Sequence, residues 1–311
     1  MPPLIDSRHT IICSKPCHGL NAWSLADYDF VCNPATNYFK ALPPGGSTSY
    51  WKGGLSSYGL LLDRLSATTS LDTPTTMFTG RLGLGYEQES SRHVLVRLAY
   101  VERNLATRGY KMVCSMRYVE DMVWDEVDPP PRPIANTPPT QVSGKLYWMV
   151  DSELGRQTSP PPAGLEIIEL DVSERKFEVL EGPPCASPDN NGDEQMSIIE
   201  LQGIVCVTSL PRMTAGIIRI WAMEDIGMWS VKYDIELERF SPEYSTETTM
   251  PLDVDPKDGR ILLSTGRALG YYDPTTRELE TIYSLGEHAK GMKFVPVLFQ
   301  ESLVNPCHSS V

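Results

Sequence analysis

A glycine that opens an apolar run recurs along this chain at near-constant spacing: Gly85, Gly144, Gly203 and Gly259 stand 59, 59 and 56 residues apart. Gly19, in Cys17-His18-Gly19-Leu20, precedes Gly85 by 66 residues, so units starting near 19, 85, 144, 203 and 259 fill nearly all 311 positions. Self-similarity at one period means that one supersecondary unit is stacked on copies of itself and buries its apolar faces against its neighbours. The fold question reduces to what one unit contains.

Each unit reads as short strands and tight turns. Lys145-Leu146-Tyr147-Trp148-Met149-Val150, Ile204-Val205-Cys206-Val207-Thr208 and Arg260-Ile261-Leu262-Leu263-Ser264 are apolar runs of strand length rich in β-branched and aromatic residues, the pattern of a strand buried on both faces. A second signature follows in three units: Asn33-Pro34-Ala35-Thr36-Asn37, Asp171-Val172-Ser173-Glu174-Arg175 and Asp273-Pro274-Thr275-Thr276-Arg277. There an Asn or Asp caps its own turn before an apolar residue re-enters the core. Tyr28–Cys32, Leu165–Leu170 and Ala268–Tyr272 supply the strand before each of these turns, and a Trp closes a variant motif at Tyr118–Trp124 and Ile220–Trp229. Several strands per unit at this period predict radially arranged four-stranded sheets, an all-β propeller of one domain spanning 1–311. Five or six blades fit, because Leu60-Leu61-Leu62-Asp63-Arg64-Leu65 has the look of a strand of an extra blade. A parallel α/β fold fits poorly, because the segments between strands lack helix-length amphipathic stretches, and a sandwich with an appendage is the alternative.

Charge narrows the partners. The formal charge of −13 lacks the cationic footprint that phosphate backbones require, so nucleic acid is not an expected partner. A basic protein segment suits better, facing Glu120, Asp121, Asp125, Glu126 and Asp128 or Asp189, Asp193 and Glu194, although charge runs are more often solvated loops. No apolar window is long enough to span a membrane, and the first residues lack the charged start and apolar core of a secretory signal, which points to the cytosol or nucleus. Seven cysteines, an odd number often placed inside strands, read as buried small hydrophobes and not as a disulfide framework. Proline runs at 129–133, 138–139, 159–162 and 183–188 cannot continue a sheet ladder and read as connections.

Catalytic patterns are scarce. Gly80-Arg81-Leu82-Gly83-Leu84-Gly85 lacks the Gly-Lys-Ser/Thr ending of a phosphate loop and reads as close backbone approach at a strand. Gly54-Leu55-Ser56-Ser57-Tyr58-Gly59 misses the nucleophile-elbow spacing, and His9, His18, His93, His288 and His308 show no paired metal spacing. One constellation depends on ring closure: Cys13, Cys17 and His18 would approach Cys307 and His308 if the chain ends meet in one blade. Its spacing lacks the two tight ligand pairs of a structural zinc site, so no metal, cofactor or enzymatic activity is expected.

Val31-Cys32-Asn33-Pro34-Ala35-Thr36 followed by Ala41-Leu42-Pro43-Pro44 resembles the opening of plant F-box-associated domains. Leu84-Gly85-Tyr86-Glu87, Tyr110-Lys111-Met112-Val113, Val142-Ser143-Gly144-Lys145-Leu146-Tyr147-Trp148, Ile220-Trp221 to Trp229 and Glu301-Ser302-Leu303-Val304 agree in order, so that the resemblance covers residues 8 to 305. It implies a kelch-like propeller that presents a target protein to a cullin-type (SCF) ubiquitin ligase. No helical F-box sequence precedes Gly19, so binding of the Skp-type adaptor does not follow from it, and the family has no fixed catalytic residues to carry over. The leading expectation is a protein-binding propeller whose loops grip a target, with Trp51, Tyr58 and Tyr244 as its candidate aromatic anchors. A small-molecule or glycan-binding kelch-type propeller and a decayed paralogue without a ligase role are the alternatives.

Overall fold

In the computed structural model the described residues are 11–13, 15–25, 28–42, 81–135, 137–155, 165–184, 194–211, 216–244, 249–286, 289 and 291–306. They form five four-stranded antiparallel sheets, the blades of a β-propeller, each with its strands neighbouring in chain order. Blade one holds β1 (Ile11–Cys13), β2 (Asn21–Leu25), β3 (Tyr28–Asn33) and β4 (Tyr38–Leu42). Blade two holds β5 (Arg81–Glu87), β6 (Arg92–Asn104), β7 (Gly109–Tyr118) and β8 (Asp125–Val127). Blade three is built from β9 (Thr140–Val142), β10 (Lys145–Met149), β11 (Glu166–Asp171) and β12 (Lys176–Glu181). Blade four follows with β13 (Glu194–Leu201), β14 (Ile204–Pro211), β15 (Ile217–Asp225) and β16 (Met228–Glu236), and blade five with β17 (Met250–Val254), β18 (Ile261–Ser264), β19 (Ala268–Asp273) and β20 (Glu278–Ser284). The first strand of a blade meets the next blade, as β5 meets β2 and β10 and as β13 meets β9 and β17, so first strands lie innermost. Leu60–Leu65 lies outside the described residues, and blades one and two pack directly on each other.

The continuous apolar runs exist because each blade is covered on two sides. Leu146, Trp148, Ile168 and Leu170 of blade three pack on Val94, Val96, Leu98 and Met116 of blade two, while their alternating neighbours Tyr147, Met149 and Ile167 pack on Ile198, Val205 and Val207 of blade four. Cys206, Ile218 and Ile220 then meet Ile261, Leu263 and Tyr272 of blade five, and Leu20, Ala22 and Val31 of blade one meet Leu82, Leu84 and Leu95 of blade two. The period of two along a strand thus assigns one residue to each neighbour. Burial raises the thiols of Cys17 and Cys114 to about 12 and that of Cys206 to about 11, which makes them packing residues.

Most of the repeated glycines occupy the first hairpin of a blade. His18-Gly19, Ser143-Gly144 and Gln202-Gly203 have both residues in the left-handed region, the turn that matches the twist of paired strands. Gly85 differs: it lies inside β5, where an added Cβ would sit 2.8 Å from Val172 Cγ2, while Ser91 carries the left-handed turn of blade two. The Asx turns form as expected between third and fourth strands, with Asn33, Asp171 and Asp273 Oδ1 accepting from the N–H two residues on at 3.0, 3.0 and 2.7 Å. Asn104 caps the turn between β6 and β7 in a related way, its Oδ1 accepting from the N–H three residues on, Thr107 N, at 3.0 Å. Of the two Trp motifs, Ile220–Trp229 spans a true hairpin, whereas residues 119–124 are a loop between β7 and β8.

Four apolar clusters join blades one to two, two to three, three to four and four to five; among the described residues none joins five to one. That seam is bridged by residues 291–306. Arg267 of blade five holds the start, donating from Nη1 to Ala289 O and Met292 O at 2.8 Å each and from Nη2 to Gly286 O at 3.0 Å. Blade one holds the end: Asn21 Nδ2 donates to Leu298 O at 3.0 Å, and Asn33 Nδ2 to Ser302 O and Val304 O at 3.0 and 2.7 Å. Gly19 leaves room for it, since a Cβ there would come within 2.1 Å of Ser302 Cβ. Lys15 also crosses the seam, with Nζ 3.0 Å from Glu200 Oε2 and 3.5 Å from Asp253 Oδ1.

A second close approach fixes blade five from within. An added Cβ at Gly270 would lie 2.6 Å from Tyr244 Oη and 3.0 Å from Glu280 O. Gly270→Ala is therefore expected to destabilise the protein by about 1–3 kcal/mol through overpacking. Tyr244→Phe, which removes the nearer atom, should recover part of that loss; thermal denaturation of both single variants and the double variant checks it, and a neutral Gly270→Ala would refute the packing.

Candidate protein-interaction face

Antiparallel strands put the first-to-second and third-to-fourth turns of every blade on one face. Val172 N donates to Gly144 O at 3.2 Å and Val119 N to His93 O at 2.9 Å, linking the two turn sets within blades three and two. Turns are where a rigid propeller presents side chains without disturbing its sheets. Among the described third-to-fourth connections, residues 119–124 carry the most exposed apolar tip, Met122 at 70% and Val123 at 74%. Ile226 at 68% and Met228 at 60%, at the two-residue turn of blade four, form a smaller second one.

The loop 119–124 is held from below by cations. Lys40 Nζ donates to Val119 O at 2.6 Å and Glu120 O at 3.5 Å, and Arg117 Nη1 to Asp121 O at 2.8 Å. Arg92 Nη2 reaches Asp121 Oδ1 at 2.8 Å and Glu120 Oε2 at 3.3 Å. The Trp124 ring closes the loop, with Arg97 Cζ 4.3 Å and Arg117 Cζ 4.9 Å from its centroid, and Arg97 is paired with Asp29 Oδ2 at 2.6 Å. Burial lowers the guanidinium pKa of both Arg97 and Arg117, and the charge of Arg97 adds to the effect on Arg117. Both remain cations. Asp125 of the adjoining strand meets Arg175 of blade three at 3.0 Å, while Glu126 and Asp128 are exposed. The result is an apolar tip on a fixed backbone, rimmed by carboxylates.

A ring cluster sits beside it. His18 stacks on Tyr86 at 4.1 Å between centroids, and Tyr86 contacts His93 at 5.0 Å. His93 is buried, with Nε2 3.1 Å from Cys17 O, and burial chiefly, with the neighbouring His18, lowers its pKa from 6.5 to about 4.

The expected site residues fall in several places. Tyr244 is in the interior at 1% exposure, its hydroxyl 3.0 Å from Thr281 Oγ1, so its ring packs and a partner has no access to it in this arrangement. Trp51 and Tyr58 lie outside the described residues, as do Asp189, Asp193, Cys307, His308 and the side chains of Cys13 and Glu194. Cys17 is buried and His18 exposed on the turn; among the described residues no group of three His, Cys, Asp or Glu side chains is placed to hold a metal. Met122 and Val123, which the sequence marks only as part of the Tyr118–Trp124 motif and not as site candidates, are apolar residues set inside an acidic run. Among the described residues no helix is long and apolar enough to cross a membrane.

No protein-family model matches the chain. A relative by sequence is an F-box/LRR-repeat protein of Arabidopsis thaliana, 20% identical over 276 residues, which are 86% of this chain. The chain spans 58% of that relative's length. Similar solved structures include a nidogen/laminin complex (8% identity, TM-score 0.46, 94% of this chain and 86% of that chain) and the mitotic checkpoint complex (10%, 0.42, 89% and 64%). The xylan β-1,4-xylosidase of Bacillus halodurans is another, at 11% identity and TM-score 0.40, covering 88% of this chain and 51% of that one. Overlaps at that level carry no weight for function. The described residues thus form a propeller of five blades, and the chain has a distant F-box-protein relative.

The His93 shift sets a pH dependence. Because the folded pKa is depressed, the unfolded chain takes up the proton first, so the contribution is intact above the unfolded value of 6.5 and is lost as pH falls towards 4. Denaturant unfolding at pH 7 and pH 4.5 should show a loss larger by about 2–3 kcal/mol in the wild type than in His93→Gln. Equal losses in the two proteins would contradict the burial of a neutral imidazole.

Proposed function

We propose that residues 1–311 act as one propeller domain that binds a target protein, in the manner of the recognition module of an F-box protein. The loop 119–124 carries the reading: Met122 and Val123 stand free of the core on a backbone whose carbonyls are fixed by Lys40 and Arg117. A pre-ordered apolar tip loses little entropy on binding and suits the centre of an interface, while a carboxylate rim favours a target with basic flanks. The distant F-box/LRR-repeat relative supports a module of that kind, and the resemblance to F-box-associated domains extends the proposal to recruiting a target for ubiquitin ligation. No catalytic step is part of this reading.

Affinity purification of the chain from plant cells, compared with Met122→Asp/Val123→Asp, tests it by quantitative mass spectrometry. A specific target should bind the wild type at least about 30-fold more tightly than the variant, as expected for loss of about 2 kcal/mol at an interface centre. Recovery of adaptor and cullin with the target extends the reading to a ligase. Equal recovery of every protein by the two forms would overturn it.

A further inference from the structure

Arg117, in β7, is 1% exposed, yet Nε and Nη2 of its guanidinium have no hydrogen-bond partner. Only Nη1 is used, on Asp121 O at 2.8 Å. Nε and Nη2 form one edge of the guanidinium fork, and elsewhere in the molecule that edge takes carboxylates. Arg97 sets Nε and Nη2 2.9 and 2.6 Å from Asp29 Oδ2, and Arg219 sets them 2.8 and 3.2 Å from the two oxygens of Asp234. Trp124, whose ring lies against Arg117, has a buried Nε1–H that likewise lacks an acceptor. Three buried donor atoms on two touching side chains are therefore without acceptors.

The local charges do not supply one. Lys40, Arg92, Arg97 and Arg117 surround the junction of blades one and two against Asp29, Glu120 and Asp121. Asp29 is engaged by Arg97, and Glu120 and Asp121 by Arg92, and none of these carboxylates is hydrogen-bonded to Nε or Nη2 of Arg117. Buried donors without acceptors are unfavourable, and a charged acceptor both satisfies them and offsets the desolvation of the buried guanidinium. We propose that this junction binds an oxyanion, with two oxygens of a carboxylate or phosphoryl group on the Nε/Nη2 edge of Arg117 and Trp124 Nε1 as a further donor. Asp121, whose carbonyl Arg117 holds, is exposed, so the site lies just beneath the surface of the interaction face. The fork geometry makes arginine specific here, because a lysine presents a point charge and no paired edge. The site does not depend on Met122 and Val123 and stands apart from the reading of the loop as a docking tip.

The full chain, labelled with nitrogen-15, is titrated separately with inorganic phosphate and with acetate at constant ionic strength, chloride serving as the control. One arginine Nε–H and one indole N–H resonance should shift saturably, and Arg117→Lys and Trp124→Phe assign them. Arg117→Lys should weaken anion binding at least about tenfold and abolish the rise in melting temperature that the anion gives the wild type. A response to phosphate alone identifies a phosphoryl group as the ligand chemistry, and a response to both anions admits a carboxylate. If neither anion shifts these resonances beyond the chloride control, or if folded Arg117→Lys responds as the wild type does, the proposal is overturned. The wild-type titration decides even where a variant fails to fold.

Discussion

A ring of sheets is stable only if its last blade is sealed to its first, and in this chain that seal differs from the other interfaces. Four junctions are apolar clusters of buried residues in which neighbouring blades interdigitate, from the seven between blades three and four to the twelve between blades two and three, and each gains from burial in proportion to area. Among the described residues the fifth has no such cluster and is bridged by the segment after β20, through side-chain hydrogen bonds and the lesser apolar contacts of Val304 with blade one and Phe294 with Tyr283. Arg267 ties its start to blade five and Asn21 and Asn33 tie its end to blade one, with Gly19 yielding the space. A buried Asn that gives its amide to main-chain carbonyls contributes about 1 kcal/mol per bond, but leaving those groups unpaired costs more. The seam is therefore specific in register and weaker than its neighbours.

The same economy of buried cations shapes the interaction face. Blade two departs from the two-residue turn of blade four by inserting residues 119–124, and a loop of that length needs support from outside its own hairpin. Lys40 of blade one provides it by holding main-chain carbonyls, Arg117 of the preceding strand adds a carbonyl contact from within the blade, and Arg97 and Trp124 fill the space between the blades. The exposed Met122 and Val123 follow from this arrangement: their neighbours Val119 and Trp124 turn inward, and the tip has no inward position left.

Much of the fold was legible because a propeller writes its constraints locally. Both-side burial produces the runs Tyr147–Met149 and Val205–Val207, and the Asx turns need a carboxylate or amide at one fixed position. The repeat was less faithful than the spacing implied. Gly85 is there for close approach to Val172, and the left-handed turn it was aligned with is made by Ser91, which a glycine count does not see. The face was harder to read, since exposure is a tertiary property. Tyr244 looks like a free aromatic in a loop, but a glycine at 270 in a distant strand opens the space that buries it. Conversely, Met122 and Val123 look like core residues and are exposed.

Hydrogen exchange by mass spectrometry, on the full chain and on Asn21→Ala/Asn33→Ala, tests ring closure by the terminal segment most directly. Closure by this strap predicts that the variant exchanges faster in β2, β3, β18 and β19, while β10, β11 and β14 keep their protection, because their junctions are the apolar ones. Unchanged exchange in blades one and five, or acceleration confined to blades two to four, would contradict it.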